Sequence, residues 1–117
     1  MLSKIGVVML GVSDLERSIS FYRDTLGLAL TGQTEGFAFF NAGGVTLALS
    51  VGLLRALGKE PGAVEIVFQV EHVRQTHAGL QSRGVHFRDD PHPVTGDMWA
   101  ANFQDLDLHT LSIFGPE

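Results

Sequence analysis

One segment of this chain occurs twice. Val12-Ser13-Asp14-Leu15-Glu16-Arg17-Ser18 returns 58 residues later as Val70-Glu71-His72-Val73-Arg74-Gln75-Thr76, in a chain of 117 residues. Each copy follows an apolar, strand-like run and leads into an amphipathic stretch that stops at a glycine, Gly27 and then Gly84. Repetition at half the chain length implies two homologous modules, and a duplicated module puts its functional site where the halves meet.

The composition agrees with one domain made of two such halves. With 44% hydrophobic side chains the chain can bury roughly 65% of its unfolded surface. It contains no cysteine, which excludes a disulfide framework, a thiolate metal site and a cysteine nucleophile, and fits a cytoplasmic protein. The formal charge of -5, with only eight scattered Lys and Arg, argues against nucleic acid as a partner and favours a cationic or neutral small molecule. The apolar runs 5–12 and 45–57 are interrupted and fall short of the ~20 residues a bilayer span needs, so no membrane role is expected.

Along the chain, residues 4–12 read as a buried strand. Ser13 with Glu16 three residues on reads as a capping box, and the helix it opens runs to about Leu26, with Leu15, Ile19, Tyr22 and Leu26 on its inner face. Three short β-prone runs follow at 28–33, 36–41 and 45–51. The first module is therefore β-α-β-β-β and spans 1–54. Residues 55–63, with Gly58, Pro61 and Gly62, read as a linker. The second module, 64–117, repeats the order: a strand at 64–70, a helix at 72–83, a short strand at 85–88, and strands at 98–104 and 108–114. The proline-containing stretch 89–96 between them reads as a polar loop rather than an ion site built from His92, Asp89 and Asp90, and 89–97 reads as the moving part and a candidate lid. The fold class is α+β, two tandem βαβββ modules forming a curved mixed sheet around a cleft.

The run from Gly11 to Leu28, GVSDLERSISFYRDTLGL, resembles the opening signature of the vicinal oxygen chelate superfamily, which includes glyoxalases, bleomycin-resistance proteins and extradiol dioxygenases. Asn102-Phe103-Gln104-Asp105-Leu106-Asp107-Leu108-His109 is similar to that superfamily's closing Asp-Pro-Asp-Gly turn, with Leu106 and Leu108 in place of Pro and Gly. The resemblance implies homodimers and, in metal-using members, four ligands drawn from His, Glu or Gln. At the corresponding positions this chain has Val7, Ala48, Glu65 and Ser112. One carboxylate in four cannot hold a catalytic divalent ion, which needs three or more protein donors. The expectation is therefore no metal and no cofactor.

Strand alternation identifies the cleft side independently. Val8, Leu10 and Val12, like Ile66, Phe68 and Val70, are uniformly apolar and should pack beneath the helices. Ile5, Val7, Met9 and Gly11 then face the cleft, with Glu65, Val67 and Gln69 from the second module and Thr110, Ser112 and Phe114 from the last strand. An apolar floor with a few polar groups is the usual make-up of a small-molecule pocket. The candidate ligand-binding set is Val7, Met9, Ala48, Glu65, Val67, Gln69, Trp99, Ser112 and Phe114.

Each has a plainer alternative. Glu65 is a solvated strand residue or an ion-pair partner of Arg55, Arg74 or Arg88, a ligand contact, or a catalytic base. Trp99 is a core or interface aromatic, or part of the cleft rim. His72 and His77 read as solvated helix residues, and His109 as a hydrogen-bonding turn residue. There is no nucleophile elbow and no phosphate-binding glycine loop. Three functions remain: a metal-free protein sequestering a cationic or aromatic ligand as a dimer; a lyase, isomerase or dioxygenase-type enzyme with an absent or non-standard metal site; and a degenerate regulatory dimer.

Overall fold

The computed structural model describes residues 1–58 and 63–117. The chain divides into two compact units, Met1–Glu60 and Pro61–Glu117, each built on its own four-stranded mixed sheet. The architecture is α+β, with the βαβββ order occurring once in each unit.

In the first module β1 (Val7–Gly11) leads into α1 (Leu15–Ser20), which passes into one π-helical stretch at Phe21–Thr25. The cap is Asp14 rather than the expected Ser13, its carboxylate accepting the Arg17 N–H at 3.1 Å. Glu16 is not the second half of a capping box, since its carboxylate accepts instead from the Gln33 amide at 2.8 Å. Leu26 N–H reaches back five residues to the Phe21 carbonyl, and Gly27 ends the turn at φ 84°, a conformation that side chains with a Cβ resist.

Strands β2 (Ala29–Gln33), β3 (Phe37–Asn41) and β4 (Thr46–Ser50) complete the sheet in the order β1-β4-β3-β2, with β1 and β4 parallel and the other pairs antiparallel. Residues 51–57, part of which was expected to be linker, form α2 (Val51–Leu57). Ser50 caps this helix through its hydroxyl, which accepts from Leu53 N–H at 3.1 Å. The rest of the expected linker, 59–62, lies outside the described residues. α2 packs so closely on β1 that a Cβ at Gly11 would stand 2.9 Å from the Leu54 Cα.

The second module consists of β5 (Glu65–Gln69), α3 (Val73–Ser82), β6 (His92–Thr95), β7 (Met98–Gln104) and β8 (Thr110–Pro116), in the sheet order β5-β8-β7-β6. The strand expected at 85–88 is reduced to a single bridge between Phe87 and Phe103. The loop and candidate lid expected at 89–97 contains a strand, for β6 (His92–Thr95) pairs with β7 through His92, Pro93 and Thr95, with a register shift that accommodates the proline. His92 and Asp89 fasten the approach to it. The His92 Nδ1 lies 3.1 Å from the Asp90 carbonyl oxygen and 3.2 Å from Asp89 Oδ2, while Asp89 Oδ1 accepts the Asn102 N–H at 2.8 Å.

Both sheets bury the side that carries their helix. Val12, Leu47, Leu49, Ala38 and Phe40 are buried in the first module, together with Ile19 and Tyr22 from the helix; Ala101, Phe103, Leu111 and Ile113 are buried in the second, together with Val73. His77, expected at the surface, is only 9% exposed, with its ring 4.2 Å from that of Phe87 and its Nε2 without a hydrogen-bond partner among the described residues. On the same helix the Arg74 guanidinium lies 4.7 Å above the Trp99 ring and pairs with the Glu117 carboxylate at 2.6 Å. Among the described residues no helix is long and apolar enough to cross a membrane.

Candidate functional site

The sheet sides away from α1 and α3 carry most of the candidate residues, and on the first sheet α2 lies over the Gly11 end of that same side. In the first module register puts Val7 beside Thr46 on β4, Met9 beside Ala48, and Ala48 beside Phe39 on β3. Phe37 lies one row on, opposite Ser50, and its ring stacks nearly parallel to that of Phe39 at 6.1 Å. Val7 is 51% exposed and Met9 39%, whereas Ala48, also on this side, is fully buried. The face is apolar and aromatic, with Thr46 and Asn41 as polar groups at one end.

The corresponding face of the second module has another chemistry. Glu65 lies opposite Thr110, Val67 opposite Ser112, and Gln69 opposite Phe114. From β7, Ala100, Asn102 and Gln104 take the same side, and β6 adds His92 beside Ala100. Glu65 does not pair with Arg55, Arg74 or Arg88. Its Oε1 accepts from the Asn102 side-chain amide at 3.2 Å. Val67 is 53% exposed and Ser112 only 2%.

The sequence-derived set therefore divides. Val7, Met9 and Ala48 share one face of the first sheet, and Glu65, Val67, Gln69, Ser112 and Phe114 share one face of the second. Trp99 does not join them. It alternates with Ala100 and Asn102, so it stands on the helix-covered side with Ala101 and Phe103, under Arg74. Phe37 and Phe39 went unnoticed in the sequence, and Asn102 and His92, the latter weighed only as part of an ion site with Asp89 and Asp90, were not counted among the ligand-binding candidates. Alternation along β7 carried the signal for Asn102, since fixing Ala101 and Phe103 in the core turns Asn102 outward.

The positions where the vicinal oxygen chelate resemblance places metal ligands do not fit a divalent ion. Val7 and Ala48 offer no donor atom. Glu65 already accepts from Asn102, and the neighbouring Ser112 brings a neutral hydroxyl. No group of three or more His, Asp or Glu able to hold a metal occurs among the described residues.

The closing turn, with Leu106 and Leu108 in it, is tied by one carboxylate. Asp105 Oδ1 accepts both Asp107 N–H at 3.0 Å and His109 N–H at 2.8 Å, which places Leu108 in the left-handed region at φ 66°.

Comparison with known proteins gives these features a relationship. The chain is 42% identical over 122 residues to the "Metallothiol transferase FosB" of Staphylococcus haemolyticus (strain JCSC1435), covering 97% of this chain and 84% of that protein. Among solved structures, a glyoxalase/bleomycin resistance protein/dioxygenase from Nocardioides matches with a TM-score of 0.83 at 26% identity, over 99% of this chain and 85% of the other. TnmS3, an antibiotic binding protein from Streptomyces sp. CB03234, has the same fold, with a TM-score of 0.81 at 24% identity over 99% of this chain and 98% of its own. The family model described as Glyoxalase/Bleomycin resistance protein/Dioxygenase superfamily matches residues 4–113. The chain belongs to that superfamily, a relationship already visible in its twice-used βαβββ module.

Proposed function

We propose that this protein binds and sequesters a cationic or aromatic small molecule without a metal, acting as a cytoplasmic homodimer. The observation that carries this reading is the open face of the first sheet. Where a metal-using relative needs donor atoms, it presents Val7 and Ala48, flanked by Met9 and the stacked Phe37 and Phe39. Such a surface gains free energy by covering an apolar, planar partner, at roughly 25 cal/mol for each Å² removed from water. The antibiotic-binding protein of Streptomyces sp. CB03234 indicates that the fold accommodates such a role.

The second reading is a metallothiol transferase, the activity named for the S. haemolyticus relative, and it is favoured by the 42% identity over 97% of this chain. Two measurements on the purified protein separate them: divalent-metal content, and thermal shift against a panel of cationic aromatic antibiotics with and without chelator. Sequestration predicts substoichiometric metal and chelator-insensitive shifts. Stoichiometric metal, with ligand shifts that vanish in chelator, selects the transferase. A protein that is both metal-free and indifferent to every compound refutes the sequestration reading. Light scattering tests the dimer separately.

A further inference from the structure

Among the described residues Glu65 is the one carboxylate at the open-face positions of β5, β7 and β8, and those positions hold no lysine or arginine; Arg88, which follows the Phe87–Phe103 bridge and donates its N–H to the Asn102 carbonyl, stands beside Asn102 without an ion pair to Glu65. Its side chain reaches across β8 to β7, where Oε1 accepts the Asn102 Nδ2–H at 3.2 Å. The crossing passes beside Ser112, a small side chain that is itself buried. Asn102 is in turn fixed by its backbone, whose N–H donates to Asp89. One hydrogen bond thus turns the exposed carboxylate toward β7, and its second oxygen has no partner among the described residues.

Because Asn102 donates through Nδ2, its carbonyl oxygen remains as an acceptor next to the carboxylate. Two adjacent acceptors, one of them charged, match a planar cation that presents paired N–H groups. The carboxylate charge, which pairs with no lysine or arginine among the described residues, selects such a group over a neutral amide of the same shape.

We infer that Glu65 and Asn102 form a recognition site for the amidinium or guanidinium group of a ligand on the open face of the second sheet. The assignment rests on the small-molecule-binding reading above and adds to it the chemistry of the ligand's polar end.

The test uses benzamidine and its neutral isostere benzamide, titrated into the whole protein and into Glu65→Gln with protein-observed NMR shifts as the readout. Gln keeps the length of the side chain and an acceptor for Asn102, and an unchanged urea midpoint verifies that the variant is folded. The wild type is expected to prefer benzamidine by roughly ten-fold, with the largest shifts on β5 and β7. Glu65→Gln is expected to lose that preference while its affinity for benzamide stays the same. A wild type without preference, or a preference that survives in Glu65→Gln, overturns the assignment; equal binding of both probes does so while leaving the small-molecule reading intact. Silence from both overturns it as well, and if the antibiotic panel is also silent the broader reading falls with it.

Discussion

Strand for strand, Ala38 of the first module corresponds to Ala101 of the second, Phe40 to Phe103, Leu47 to Leu111 and Leu49 to Ile113, and all of them are buried. On the other side of the same strands Val7 corresponds to Glu65, Ala48 to Ser112 and Phe39 to Asn102. The side beneath the helix has held its chemistry because close packing penalises a change of even one methylene. On the other side Ala48 and Ser112 stay buried, but Val7, Met9 and Val67 are exposed, and the chemistry differs, apolar and aromatic in the first module and polar and charged in the second. The shared fold therefore does not require the two faces to be alike.

The first way to break this comparison is at a strand end. Gly115 on β8 corresponds to Val51 of the first module, where the chain turns into α2; a Cβ at Gly115 would collide with the Val70 carbonyl oxygen, and backbone cannot rotate away. Gly115→Ala is expected to cost about 3 kcal/mol or more. Gly11→Ala, which meets a short helix able to shift, should cost about 1–2 kcal/mol. Urea denaturation measures both, and equal losses would show that α2 is as immovable as β5.

The helices sharpen the comparison. Ile19 and His77 are equivalent positions in the repeat, both buried, but the His77 Nε2 lacks a partner among the described residues. His77→Ile is expected to stabilise the protein by about 1–2 kcal/mol, because an unsatisfied buried nitrogen is replaced by a hydrocarbon of similar volume. A lower melting temperature would mean that the His77–Phe87 contact outweighs the orphaned nitrogen.

One turn earlier Asp14 caps α1 while its counterpart His72 makes no side-chain cap to α3. His72→Asp should raise stability by about 1 kcal/mol, through a new acceptor and a favourable charge at the helix start. Circular dichroism melts at neutral pH check this, and the gain should shrink as the pH falls and the new carboxyl protonates.

The smallest effect is expected at the hairpin turns. The β3–β4 turn places Gly43 and Gly44 at positive φ, whereas the β7–β8 turn uses Leu108. Leu108→Gly should gain about 0.5 kcal/mol, the relief of left-handed strain being partly offset by glycine's freedom in the unfolded chain. A loss instead would mean that the exposed leucine has a packing partner.

The repeat, the helix spacing and the two-residue alternation of β1, β5 and β8 were legible in the sequence because burial leaves a periodic record. The exact cap was not, since Ser13 and Asp14 are both competent and only the backbone decides between them. Helix α2 was hidden by Gly52 and by the glycines and proline that follow it, although Ser50 is a sound cap signal. Strand β6 was hidden by Pro91, just before it, and by Pro93 within it, which read as loop although Pro93 is tolerated on an edge strand with a register shift. The pairing of Glu65 with Asn102 joins residues 37 apart in sequence across an intervening strand, and no local pattern encodes a contact of that kind.

Trp99, the chain's only tryptophan, lies beneath the Arg74 guanidinium. Its emission therefore reports on the second module alone, while far-ultraviolet dichroism reads the helices of both. If the two signals change at different urea concentrations, the halves lose their structure in separate steps; if they coincide, the duplicated architecture unfolds as one cooperative body.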